Sequence, residues 1–133
     1  MTRLKHATIF QNKNIKTLIM NDFINVMKAL SDHNRVRIVK VLQSKPLCVC
    51  ELQELLSIPQ PAVSKHMKVL EKAGLVEGKK EGLWVYYSLK HKSNNPYALV
   101  LLGNLRQWFQ NDTSLEKMYK KLPALKRKPK CIR

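Results

Sequence analysis

Two short helices, a helix–turn–helix, a β-hairpin and a further apolar helix can be read in that order along this 133-residue chain. The order predicts a mainly α (α+β) fold, a winged helix-turn-helix with a two-stranded hairpin as its wing. Three observations carry the prediction. Apolar residues recur at helical spacing as far as Leu70, broken at Lys45-Pro46 and again by the two prolines of "SIPQP". The period then changes to two across "LVEGKKEGLWVYYSLK". The chain also carries a formal charge of +16, from 25 Lys and Arg against 9 Asp and Glu, which favours a polyanionic partner.

The first helix follows from the stripe Ile15, Leu18, Ile19, Phe23, Val26, Met27 and Leu30. "SDHNR" supplies capping residues for a second, "RVRIVKVLQS", which stops at Pro46 because proline cannot continue a helix interior. A third short helix is expected from about Cys48 to Leu56, with Leu52, Leu55 and Leu56 inward. After the proline turn, "PAVSKHMKVLEKAG" places Val63, Met67 and Leu70 on one face and ends at Gly74. Leu83, Val85, Tyr87 and Leu89 then alternate with Trp84, Tyr86 and Ser88, and Gly78 and Gly82 bracket the charged tip of the hairpin. "YALVLLGNLRQWF" is apolar around most of its circumference, so burial on several sides is expected. Thr113 and Glu116 have capping-box spacing for one last short helix. We divide the chain into residues 1–112, a winged helix-turn-helix domain expected to bind DNA, and 113–133, a short helix with a basic tail carrying Cys131.

In a helix-turn-helix the second helix enters the major groove with its N-terminal residues at the base edges. With Val63, Met67 and Leu70 inward, Gln60, Ser64, Lys65 and Lys68 face outward. Gln suits adenine, Ser suits bases or phosphates, and Lys suits guanine or phosphate. His66 lies beside this face, within reach of phosphate, a base or a neighbouring helix. Lys79 and Lys80 at the hairpin tip would lie along the flanking backbone. Arg35, Arg37 and Lys90 add to the cationic field, and such contacts carry affinity rather than sequence information.

No apolar run approaches the roughly 18–20 residues that span a bilayer, so a membrane partner is disfavoured. "MTRLKHATIFQNKN" lacks an export signal, so we expect a cytoplasmic, reducing setting. There, an odd count of three cysteines argues against a disulfide framework. The pair in "PLCVCEL", Cys48 and Cys50, is then a redox pair, two buried apolar residues or a site for a soft metal ion. A position at a helix N-terminus predicts lowered thiol pKa values. Residues two apart on a regular helix diverge by about 200°, so gripping one ion would need a distorted first turn. No Gly-rich phosphate loop, carboxylate pair or Cys/His pair at catalytic spacing supports an enzyme, and neither an organic cofactor nor a small organic substrate is expected.

"ALSDHNRVRIVKVL", "LCVCELQELLSIPQPAVSKHMKVLEKAGLV" and "KKEGLWVYYSL" resemble the ArsR/SmtB metalloregulatory repressors, specifically their arsenic- and antimony-sensing branch. The resemblance runs from about Ala29 to Leu89. It implies a homodimer, joined through its N- and C-terminal helices, that binds double-stranded operator DNA. Two-fold symmetry makes the operator an inverted repeat, with half-sites about 34 Å apart or a multiple. It also implies release when trivalent arsenic or antimony, As(III) or Sb(III), binds Cys48 and Cys50 as inducer. Two departures stand out: Gln53 occupies a position where this branch often has a further cysteine, and His33 replaces the proline usual after "LSD". Trivalent arsenic prefers three sulfurs, so the third ligand is either Cys131, of the same or the partner chain, or a small thiol or water. The Asp/His and His/Glu pairs of the zinc and nickel members have no counterpart in "YALVLLGNLRQWF". A thiol redox sensor and a Cd²⁺ or Pb²⁺ sensor on the same fold remain the alternatives.

Overall fold

Asp32 shows how the helical part is punctuated. Its extended backbone (φ −145°, ψ 133°) ends the turn after helix α1 (Met20–Ala29), and its carboxylate accepts from the amides of Asn34 (2.8 Å) and Arg35 (3.1 Å), which start α2 (His33–Leu42). Partial burial works to raise this carboxyl, yet the Arg35 and Asn34 amides and the nearby Arg35 charge hold it below the ordinary range. The structure, a computed structural model, describes residues 20–125, so Ile15, Leu18 and Ile19 of the expected first stripe lie outside the described residues.

After Pro46 the chain does not enter a helix at once. Leu47–Cys48 forms a short strand, β1, and α3 (Val49–Leu56) begins one residue later than expected, with Cys48 as its N-cap. Ser57 then takes the left-handed conformation (φ 56°), which turns the chain tightly into α4 (Gln60–Lys72). Val63, Met67 and Leu70 of α4 are fully buried, as their spacing predicted. Gly74 (φ 80°) closes the helix while the Leu75 amide bonds back to the Leu70 carbonyl at 3.0 Å. At that φ any side chain is strained, and a Cβ would also meet Ser93 Oγ, so the position favours glycine.

The predicted hairpin is β2 (Val76–Glu81) and β3 (Trp84–Leu89), joined through Gly82 and Leu83. Gly82 sits at positive φ (61°), as the first loop position of a type II′ hairpin requires. The sheet is one strand larger than a hairpin: β1 pairs antiparallel with β3 in the order β1-β3-β2, setting Cys48 opposite Tyr86. Two residues of strand are too short to show a period in sequence.

Helix α5 (Pro96–Leu105) packs on α1, capped by Asn95, whose side-chain amide also donates to the Asp22 carbonyl (2.9 Å). It buries Ala98, Leu102 and Leu105, whereas Leu99 and Val100 are exposed in the single chain, so burial on several sides is not met within one chain. Helix α6 (Thr113–Lys121) packs on α2 and α3, with Leu115 and Met118 in the core. Its cap is Asp112 rather than Thr113: the Asp112 carboxylate accepts from the Leu115 amide (3.0 Å) and Ser114 Oγ (2.5 Å). A 3₁₀ turn (Leu122–Ala124) follows. Among the described residues no helix is long and apolar enough to cross a membrane.

Candidate nucleic-acid interface and thiol site

Burial of Val63, Met67 and Leu70 turns the opposite side of α4 outward. Lys65 and Lys68 are exposed there, and Gln60 and Ser64 are half-buried. Gln60 is the first residue of the helix, and Pro59 at the N-cap offers no side-chain hydrogen bond. Pro61 has no amide hydrogen and the Ala62 amide donates to the Pro59 carbonyl (3.0 Å), so in the first turn the Gln60 amide is the one left for an anion such as a DNA phosphate. Lys79 and Lys80 are exposed on β2, at the wing.

His66 is not part of that group. Two residues from Ser64, it points about 200° around the helix, toward α2, where Arg35 Nη1 lies 3.2 Å from its Nδ1. Arginine can only donate, so Nδ1 accepts and the imidazole proton is assigned to Nε2. The same guanidinium bonds the Ala29 carbonyl (2.6 Å) and the Lys28 carbonyl (3.3 Å) at the end of α1. Arg37 likewise bonds Ser114 Oγ (3.1 Å) and Asn34 Oδ1 (3.2 Å). Both arginines, expected in the general cationic field, also join helices.

The cysteine pair sits where strand turns to helix. Cys48 (2% exposed) and Cys50 (7%) form one buried cluster with Trp84 packed against it. Because Cys48 is extended (φ −89°, ψ 167°) and Cys50 is in the first helical turn, the 200° divergence of a regular helix does not apply to them. Cys48 completes a capping box: its amide donates to Glu51 Oε1 (3.0 Å), and the Glu51 amide faces its sulfur. "C-V-C-E" carries that spacing openly, with sulfur in place of a hydroxyl.

The expectation of a lowered thiol pKa is overturned at Cys48. Burial is the larger effect and pushes it up; the Glu51 amide opposes this, and the Glu51 carboxylate adds to the rise. Cys48 is thus a free, buried thiol. Cys131 lies outside the described residues. Among the described residues no three His, Cys, Asp or Glu side chains are grouped to hold a metal ion.

Lys40 gave no signal in sequence, where it reads as one more basic residue on an amphipathic helix. It is buried, and its Nζ donates to the Leu105 carbonyl (2.7 Å) and the Trp108 carbonyl (2.8 Å), capping the C-terminal end of α5. Burial lowers its pKa.

A tri-helical unit with a basic reading helix and a charged wing defines a winged helix-turn-helix DNA-binding protein. The model of the arsR family of bacterial regulatory proteins matches residues 32–78. An uncharacterised HTH-type transcriptional regulator of Methanocaldococcus jannaschii is 41% identical over 63 residues, 47% of this chain and 71% of that protein. The arsenical resistance operon repressor of Escherichia coli K12 is 40% identical over 67 residues, 50% of this chain and 57% of that one. A cadmium resistance transcriptional regulatory protein, a CadC homolog of Staphylococcus aureus, is 41% identical over 69 residues, 51% of this chain and 57% of its own length. The chain thus spans little more than half of these two named regulators. Among solved structures, HlyU from Vibrio cholerae aligns with a TM-score of 0.58 at 26% identity, covering 74% of this chain and 98% of that one. The chain belongs to the arsR family of bacterial regulatory proteins, which are transcriptional regulators and not enzymes.

Proposed function

We propose that this protein is a homodimeric transcriptional repressor that leaves its operator when As(III) or Sb(III) binds Cys48 and Cys50 in their reduced form. One observation carries the reading: both sulfurs share a buried cluster at the junction of β1 and α3. That junction touches the two elements that meet DNA. Helix α3 packs on the reading helix α4, and β1 pairs with β3 of the wing, whose Trp84 covers the sulfurs. An ion drawing the sulfurs together moves the N-cap of α3 and the root of the wing at once. The ligand thereby binds the two DNA-related conformations with different affinity, as a population shift requires.

The thiol chemistry favours arsenite over a divalent cation. As(OH)₃ condenses with two thiols: two As–S bonds form, two As–O bonds break, and two waters leave carrying the thiol protons. No thiolate has to be prepared beforehand, so a raised Cys48 pKa is no obstacle. A third sulfur comes from Cys131 of either chain or from a small thiol, or water fills the place. On the DNA side, Gln60 and Ser64 are assigned to base edges, Lys65 and Lys68 to bases or phosphates, and Lys79 and Lys80 to the flanking backbone. His66, bonded to Arg35, positions α4.

The test is release of labelled inverted-repeat operator DNA, read by fluorescence anisotropy, against arsenite, antimonite, Cd²⁺, Zn²⁺ and peroxide. Release at the lowest concentrations by arsenite and antimonite is expected. Release by peroxide alone, reversed by dithiothreitol, would replace this reading with a redox repressor. A Cys131→Ser protein with unchanged arsenite affinity would remove the tail from the site.

A further inference from the structure

At the base of the wing, the loop after α2 faces the end of β3 and the end of α5 across a cavity of about 490 Å³. Its walls bring Lys45, Lys90, His91 and Arg106 together with Gln43 and Ser44, and no carboxylate lines it. Among the described residues, none of those four basic side chains has a hydrogen-bond or ion-pair partner, unlike Arg35, Arg37 and Lys40. The buried Nε2 of Gln43 also lacks an acceptor among the described residues. Like charges gathered around a concave space repel one another, and an unpaired donor in its wall adds to that cost. A bound anion relieves both.

We propose that this cavity binds the phosphate group of a small molecule, or free phosphate. The basic side chains suit a tetrahedral oxyanion, with Arg106 as the bidentate partner. The volume lies in the range of pockets for small organic ligands, so it can hold a phosphate monoester as well as the bare ion. A DNA phosphate is the less suitable source because of position. Arg35, near the start of α2, touches the reading helix, whereas the cavity lies beyond the other end of α2. Ten residues of helix place those ends about 15 Å apart. The loop lining the cavity runs directly into β1 and Cys48, and Arg106 follows the last residue of α5, so an anion there would pin the approach to the thiol site to the end of α5. The site stands independently of which ion is the inducer.

The experiment is thermal unfolding of the full-length protein in rising inorganic phosphate, with ionic strength held constant by chloride. Site binding predicts a saturable rise in Tm, roughly 4 °C at ten times Kd. The rise should persist in a Lys117→Gln/Lys120→Gln protein, which loses equal charge on α6, and vanish in Lys45→Gln/Arg106→Gln. No rise, or equal rises in all three proteins, would overturn the proposal by reducing it to general charge screening. Operator affinity against salt covers the other source: an unchanged slope in Lys45→Gln/Arg106→Gln supports a small-molecule site. A slope smaller by about two would assign the cavity to the DNA backbone instead and overturn it.

Discussion

Cys48 stands where a serine or threonine would complete a capping box, and under the proposed function the sulfur there would tie helix initiation to ligand chemistry. Its environment sets a pH signature. With its thiol pushed up by burial and the Glu51 carboxylate, Cys48 is protonated at neutral pH. A divalent cation must displace that proton, which contributes about tenfold in affinity per pH unit below the thiol pKa. Arsenite keeps the protons in the departing water. Between pH 8 and 6 the apparent Kd for Cd²⁺ should therefore rise by on the order of 10-fold or more per unit, while that for arsenite changes by less than about threefold. Isothermal titration at three pH values checks this, and equal slopes would remove the argument for arsenite. Sequence showed the two cysteines and their spacing to Glu51. It did not show the sign of the Cys48 shift, which depends on burial beneath Trp84, a residue brought in by strand pairing 36 positions along the chain.

At the scale of elements, helices with strong periodicity were legible in sequence because their buried faces repeat locally. Val63, Met67 and Leu70 of α4 are the clearest case. Strand β1 was not, since two residues have no period. The cap of α6 was misplaced by one because Asp112 and Thr113 are both capping residues, and only the fold selects between them. Lys40 lies furthest from sequence reasoning, because the carbonyls it caps are 65 and 68 residues away. Replacing it with methionine keeps most of the volume and removes both bonds. Lys40→Met should lower the free energy of unfolding by about 1.5–3 kcal/mol, the range for hydrogen bonds to a charged group. Urea denaturation reads the loss, and faster amide exchange at residues 106–112 should accompany it. An unchanged urea midpoint would show that burying the ammonium costs as much as its bonds return.

For the whole molecule, the single chain leaves an apolar face uncovered where α1 meets α5. Val100 is 62% exposed, and Phe23, Ile24 and Leu99 are each more than a third exposed. Phe23 and Tyr97 stack edge to face across the two helices (5.4 Å between centroids), so the surface is ordered before any partner arrives. A second copy covering this face would give the two-fold arrangement that an inverted-repeat operator requires. Val100→Glu should shift the sedimenting species from dimer to monomer at micromolar concentration, with operator affinity falling on the order of 100-fold as bivalent contact is lost. A dimer that survives this substitution would place the interface elsewhere.

The thiol pair and the reading helix are separate parts of the chain joined through α3 and the sheet, and one measurement asks whether that junction carries the signal. Operator affinity of the Cys48→Ser/Cys50→Ser protein is compared with the parent by fluorescence anisotropy, with and without arsenite. Serine keeps the capping geometry and removes the soft donors, so DNA binding should stay within about threefold of the parent while arsenite has no effect. An arsenite response that survives in the double variant would contradict the assignment of the sensor to Cys48 and Cys50.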